Sequence, residues 1–298
     1  MLSILIPTYN YNTFPLVTEL FNQAIISKVE FEIIVLDDCS NLPFAENDKI
    51  SHFYKTIFIR NDKNMGRAST INKLVSLSKY ENCLILEADS IPEKPDYLQQ
   101  YLDLIEKGIK IAFGGVIYPS EKPQTDSLLR WIYGHQRESK NINYRIKNPY
   151  KIIFSWNLLI DKATFNKYPF DSSIKEYGFE DLIFLKKLNE NEIKIHQIEN
   201  NLIHLNKESS QQFIDKYHSS LKNLKFLLDT NKIKYEDTNL SKKYQFLKKI
   251  KADIIFQIIF PFLKTTILKN LNSEYCSIFI FDLYKLGYFC LINKSNNV

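Results

Sequence analysis

The run FEIIVL at Phe31–Leu36 is apolar at five of its six positions and is followed at once by two carboxylates, Asp37 and Asp38. Such a run does not alternate, so it cannot lie on a sheet with one wet face. It needs cover on both faces, the condition of a parallel strand between helices. Neighbouring segments repeat the pattern. Ser3–Ile6, Thr56–Ile59, Cys83–Leu86 and Ile109–Val116 read as strands, and Pro15–Ser27, Arg67–Ser78 and Asp96–Lys107 as helices. This alternation predicts an α/β fold with a mostly parallel sheet flanked by helices. Sheets of that kind bind ligands where their strands end. Thr8-Tyr9-Asn10, Asp37-Asp38 and Glu87-Ala88-Asp89 stand at three predicted strand ends.

Beyond about Asn206 the pattern changes. Ser210–Thr230 is a polar amphipathic helix, Lys242–Leu271 is basic and then apolar, and Tyr275–Ile292 is apolar and aromatic. The expected organisation is an α/β domain over residues 1–208 and a helical region over 209–298, with disorder from Lys294 onward. The apolar 254–268 stretch falls short of the ~20 residues a membrane span needs, and it contains Pro261 and Lys264. Two readings stay open. Residues 248–292 dock on the inner membrane surface with Lys248, Lys249 and Lys251 near anionic lipid, or the same apolar faces pack on the α/β domain.

The formal charge of +5 is spread among interleaved acids, which does not make the concentrated basic face of a nucleic-acid binder. The four cysteines form no CxxC pair, so neither zinc nor a redox motif is indicated. Cys39 and Cys83 read as small buried hydrophobes. The N-terminus has no basic n-region and no cleavage site, so the expected location is the cytoplasm or the cytoplasmic face of the inner membrane. Phosphate-loop, dinucleotide and nucleophile-elbow motifs are absent.

What remains is a set of acids. The Asp37-Asp38 pair needs a donor or a cation beside it, or serves only as a cap. Glu87 and Asp89 leave a strand two residues apart and can face one cation, for which carboxylate oxygens suit Mg²⁺ or Mn²⁺; a helix cap is the plainer reading. Glu180 and Asp181 open a helical pattern after Gly178, as dipole partners or as a general base at the helix start. His204 on an apolar run is more often a core histidine than a ligand. Asn157, after Trp156 in an apolar segment, must find partners if buried.

Together, in this order, the pieces resemble the family-2 glycosyltransferases with the GT-A, Rossmann-like fold. SILIPTYNYN is similar to that family's first strand and Pro-Thr-Tyr-Asn signature, VLDDCS to its Val-Asp-Asp-x-Ser segment, and LEADS to its Asp-x-Asp region, with Glu87 in place of the first Asp. Asn64-x-Gly66-Arg67 followed by Asn72 is similar to its helix start. FSWNLLIDKATF, YGFEDLIF and NNLIHL resemble the acceptor half of bacterial galactosyl- and N-acetylgalactosaminyl-transferases.

The resemblance implies an inverting, metal-dependent transferase with Mn²⁺ or Mg²⁺, working from a nucleotide-sugar (a UDP-sugar) to a saccharide or lipid-linked saccharide in surface polysaccharide synthesis. It implies that Pro7, Thr8 and Tyr9 flank the base, and that Asp37 or Asp38 accepts from base or ribose. Asn64 and Arg67 lie at the donor with Arg67 near the diphosphate, and Glu87 and Ala88 line the nucleotide. Asp89 and His204 hold the metal. Asp181 is the catalytic base and Glu180 positions the acceptor. Trp156, Asn157, Tyr177, Gly178 and Phe179 face the acceptor sugar. Two rivals remain: a nucleotidyltransferase of similar sheet topology, and a non-catalytic membrane-surface scaffold whose acids are only caps.

Overall fold

The computed structural model describes residues 1–151, 154–174, 177–205 and 208–294. Ile152 and Ile153, which open the apolar segment before Trp156, and residues 295–298 of the tail expected to be disordered lie outside these. In chain order the strands and helices are β1 (Leu2–Thr8), α1 (Phe14–Ile26), β2 (Phe31–Asp37), β3 (Thr56–Arg60), α2 (Arg67–Leu77), β4 (Asn82–Ile85), β5 (Ser90–Pro92) and α3 (Tyr97–Glu106). They continue with β6 (Ile111–Phe113), β7 (Val116–Ile117), α4 (Leu128–Tyr133), α5 (Ile142–Lys147), β8 (Leu158–Asp161), α6 (Lys162–Lys167), α7 (Glu180–Glu190), β9 (His196–Gln197) and β10 (Leu202–His204). The last helices are α8 (Ser210–Asp229), α9 (Asn239–Lys249), α10 (Asp253–Leu271) and α11 (Ile278–Ile292).

The chain divides into two compact units. Met1–Pro119, Arg137–Lys175 and Glu180–Asn206 form the first; Ser120–Gln136, Glu176–Phe179 and Lys207–Val298 form the second. In the first, a seven-stranded sheet runs β3-β2-β1-β4-β8-β6-β9, parallel except where β8 lies antiparallel to β4 and β6. Successive residues of β1 feed opposite faces. Ile4 and Ile6 pack with α1 and α3, whereas Leu5 packs with Ile71 and Leu74 of α2 and Phe184 of α7. This is the two-sided cover that FEIIVL requires. The expected strand Ile109–Val116 is broken in two at Gly114–Gly115, and its second half joins a small sheet of order β5-β10-β7. A side chain at Gly114 would meet the Asn200 carbonyl and the Tyr101 hydroxyl, so glycine alone permits this approach.

The second unit is helical. α8 opens on a capping box between Ser209 and Gln212. Leu128 and Leu129 of α4, Phe213 and Ile214 of α8, Phe260 of α10 and Phe281 of α11 share its core.

Candidate active site

The loop after β1 is held from below. Asn47 accepts from Thr13 N at 2.8 Å and donates to Tyr11 O at 2.9 Å, and Ser40 Oγ accepts from Asn10 N at 2.7 Å. Pro7 and Thr8 stay in the strand, while Tyr9 emerges at its end 44% exposed. Asp37 and Asp38 face different duties, which relieves their repulsion. Asp37 accepts from the Ser40 backbone and hydroxyl and pairs with Arg60 at 3.5 Å. Asp38 accepts from Asn61 Nδ2 and Met65 N through one oxygen and from Gly66 N through the other. Asn64 adds a bond to the Asp38 carbonyl at 3.2 Å. The Asp38 carboxylate thus shapes the turn that launches α2 at Arg67, with Gly66 at φ 81°. A cavity of about 410 Å³ beside the end of β2 is lined by Asp37, Phe44, Asn47, Phe58 and Arg60. Cys39 departs from expectation: it is half-exposed with φ 63°, because it sits in the turn after β2 rather than in the strand, whereas Cys83 is buried.

Arg67, at the first position of α2, reaches three groups from distant parts of the first unit. Nη2 donates to Glu87 at 2.8 Å, and Nη1 donates to Ser155 Oγ at 2.6 Å and to Asp181 at 3.4 Å. Burial by itself would lower the Arg67 pKa; the charges of Glu87, Asp181 and Glu180 outweigh it and keep the guanidinium charged. Glu180 is buried at 7% exposure, and among the described residues its Oε2 has no hydrogen-bond partner. Its carboxyl is pushed up to about 7, by burial first and by the Asp181 charge second, against the pull of Arg67. The side chain of Asp181, its neighbour at the start of α7, is 27% exposed.

The small sheet supplies a second cluster. β10 pairs antiparallel with β5 so that His204 lies opposite Ser90, and Leu205 N donates to Asp89 O at 2.7 Å. That register brings His204 Nε2 within 3.2 Å of Asp89 Oδ1. The imidazole is fixed between Trp156, stacked at 5.3 Å, and Tyr118, edge-on at 5.3 Å. Among the described residues no group of three or more His, Cys, Asp and Glu converges as a metal cage. One oxygen and one nitrogen at this separation do match neighbouring ligands on an octahedral cation with ~2.1 Å bonds, which ordinarily keeps water or phosphate oxygens in its other positions. The residues present therefore fit a substrate-completed cation, with Glu87 engaged by Arg67 rather than by the cation.

Two residues expected at the acceptor sugar are placed in the core instead. Asn157 is fully buried at φ 55°. Its Oδ1 accepts from the Tyr97 and Tyr101 hydroxyls at 2.6 and 2.7 Å, and its Nδ2 donates to Gly115 O and Asn200 O at 2.5 and 3.0 Å. Both lone pairs and both protons are used, so its amide has nothing left for a sugar. Trp156, 6% exposed, supports His204. Tyr177, Gly178 and Phe179 belong to the second unit, where the Gly178 carbonyl accepts from Asn223 of α8 and a side chain at Gly178 would collide with Ser220. Ser155 lies within the FSWNLLIDKATF segment without being singled out by it, and the buried Arg145, which donates to the Ile198 carbonyl at 2.9 Å and the Phe113 carbonyl at 3.3 Å, lies in no motif.

Residues 3–168 match the family described as Glycosyl transferase family 2. The chain belongs to this family. It is a glycosyltransferase, and its GT-A-like fold agrees with solved structures. One is the mannosyltransferase PcManGT from Pyrobaculum calidifontis in complex with GDP-Man and Mn2+, with 13% identity over 100% of this chain and 88% of that one and a TM-score of 0.59. Another is S. aureus TarS 1-349 in complex with UDP-GlcNAc, with 17% identity over 98% of this chain and 90% of that one and a TM-score of 0.51. Against a longer S. aureus TarS chain the glycosyltransferase aligns over 73% of its own length at 19% identity and a TM-score of 0.47, spanning 38% of that chain. A comparison with curated proteins gives no match.

Proposed function

We propose that this glycosyltransferase transfers a hexose or N-acetylhexosamine from a nucleotide-sugar, a UDP-sugar first of all, to a hydroxyl of a saccharide or lipid-linked saccharide, with inversion, and that residues 1–208 carry the chemistry. The convergence of Arg67 on Glu87, Asp181 and Ser155 carries the reading. A guanidinium held charged among carboxylates is prepared to exchange them for phosphate oxygens. A donor diphosphate competes for Arg67 and releases Asp181, which then takes the proton of the acceptor hydroxyl. The hydroxyl oxygen bonds to the anomeric carbon from the face opposite the leaving group, and the nucleoside diphosphate departs with the bonding pair. Base assistance of this kind contributes roughly 10²- to 10⁴-fold in rate. Asp89 and His204 would hold Mn²⁺ or Mg²⁺, which supplies positive charge against the leaving diphosphate. GDP-Man with Mn2+ in one structural relative and UDP-GlcNAc in another support a nucleotide-sugar donor. Tyr9, exposed where β1 ends, offers a ring to the base.

A second assignment of the two acids is favoured by one observation. The Glu180 carboxyl at about 7 is tuned to the pH at which a general base works best, whereas Asp181 is the more accessible of the pair. Calorimetry with UDP, GDP and CMP, with and without Mn²⁺, followed by assignment of the product anomer, tests the reading. UDP binding strengthened by Mn²⁺ and an inverted product are expected. Selective GDP or CMP binding overturns the donor assignment, a retained anomer overturns the mechanism, and absence of any nucleotide binding overturns both.

A further inference from the structure

α10 carries an apolar stripe that the second unit leaves uncovered. Ile254, Ile255, Ile258, Ile259, Phe262 and Leu263 are exposed by 46% to 81%. Pairs repeated every four residues line one side of a helix, here over more than two turns. The other side is held. Phe260 is buried with its ring 5.4 Å from Tyr284 of α11, in the space a side chain at Gly287 would take, and Leu271 is buried in the same core. Among the described residues α10 is the one helix long and apolar enough to cross a membrane by length and composition. A helix packed along α11, containing Pro261 and Lys264 and starting at the buried Asp253, is not free to span. It can lie in an interface with its bare side down.

Charge selects the occupant. Between Asn239 and Leu271 the chain has seven lysines and one acid, Asp253, which is buried. Lys248, Lys249 and Lys251 are exposed immediately before the stripe. A second copy of the chain would set these lysines against their own kind, which opposes association. An anionic lipid surface satisfies both features, taking isoleucine and phenylalanine into the acyl boundary and lysines among the headgroups. We propose that the α10 stripe together with Lys248, Lys249 and Lys251 is a docking face for an anionic bilayer surface, with the helix lying in the plane of the interface.

Co-sedimentation of the full chain with phosphatidylcholine vesicles, with and without phosphatidylglycerol, tests this. The protein is expected in the pellet with anionic vesicles and in the supernatant with neutral ones, and added salt should release it. Replacing the three lysines by glutamine should lower partitioning about a hundredfold, at about fivefold per lysine. Ile258→Ser with Phe262→Ser should abolish pelleting without moving the thermal midpoint, since both side chains are already in water. A full chain that stays in the supernatant with anionic vesicles overturns the proposal, as does binding indifferent to both variants. A dimer in sedimentation equilibrium that the serine variant splits assigns the stripe to a second copy and overturns it as well.

Discussion

Glu180→Gln isolates the electrostatic tension of the site. The folded chain holds the Glu180 proton up to about pH 7, whereas the free side chain releases it near 4.5. Between those values the folded state binds more protons than the unfolded state, so this group makes stability fall as pH rises through the window. Below the window it contributes nothing, and above it the penalty is fully present. At about 1.4 kcal/mol per pKa unit the full penalty is about 3 kcal/mol, of which roughly 2–3 kcal/mol develops between pH 5 and pH 8. Glutamine keeps the shape of the neutral form and cannot ionise. A buried amide lacking an acceptor has its own cost of roughly 1–3 kcal/mol, but that cost does not vary with pH and cancels in the comparison. Thermal unfolding of parent and variant in chelator-containing buffer at pH 5 and pH 8 is the assay. The variant's Tm should gain on the parent by roughly 5–10 °C over that interval, from about 2–4 °C per kcal/mol for a unit of this size. A difference that stays constant with pH refutes a buried, electrostatically strained Glu180.

Asp181→Asn should lower kcat by roughly 10²- to 10⁴-fold while UDP binds at least as tightly, because Arg67 loses a competing carboxylate, read from kinetics and calorimetry; retained turnover together with an inactive Glu180→Gln exchanges the roles of the two acids. His204→Ala should weaken Mn²⁺ binding at least about tenfold in calorimetry while the domain still unfolds cooperatively, whereas severe destabilisation with unchanged Mn²⁺ affinity marks His204 as a core residue only. Asn157→Ala takes away the side-chain partner of the Tyr97 hydroxyl and the Asn200 carbonyl, while Tyr101 keeps the residue 157 backbone carbonyl and the Gly115 carbonyl keeps Leu202 N, and it should cost about 2 kcal/mol or more in denaturant titration; a loss under about 1 kcal/mol refutes the amide as the junction between the two sheets.

The legible parts of the fold were those governed by local pattern. FEIIVL demanded cover on both faces and has it, and the acids that follow strands do stand at strand ends, because burial ends where the sheet ends. The break at Gly114–Gly115 was not legible. Its cause is the approach of the Asn200 carbonyl, more than eighty residues on, and no periodicity within an eight-residue window reports a neighbour so distant. The small sheet was hidden for a related reason. Its strands are two or three residues long, too short to display a period, yet their register is what sets His204 beside Asp89. Asn157 shows the opposite case. Its type and apolar surroundings signalled a buried amide in need of partners, and the structure supplies four.

The charges around Arg67 show why motif order is informative where single motifs are not. Glu87 and the adjacent pair Glu180 and Asp181 come from two widely separated segments, and each taken alone reads as a cap or a dipole partner. Brought around one cation they are too many to be neutralised by it, and the burial of Glu180 raises the cost of leaving the excess charged. A core built for stability alone would replace such a cluster with apolar side chains at little cost or at a gain. The arrangement is better explained by what Arg67 meets next. A diphosphate is a stronger bidentate partner than a pair of carboxylates at 2.8 and 3.4 Å, and its arrival redistributes the charge that the resting site holds in tension. The strain at Glu180 and the readiness of Arg67 are then one property of the site: a diphosphate that draws Arg67 away removes the charge that holds the Glu180 pKa down, so in the donor complex Glu180→Gln should still raise Tm more at pH 8 than at pH 5, by at least as much as in the free chain.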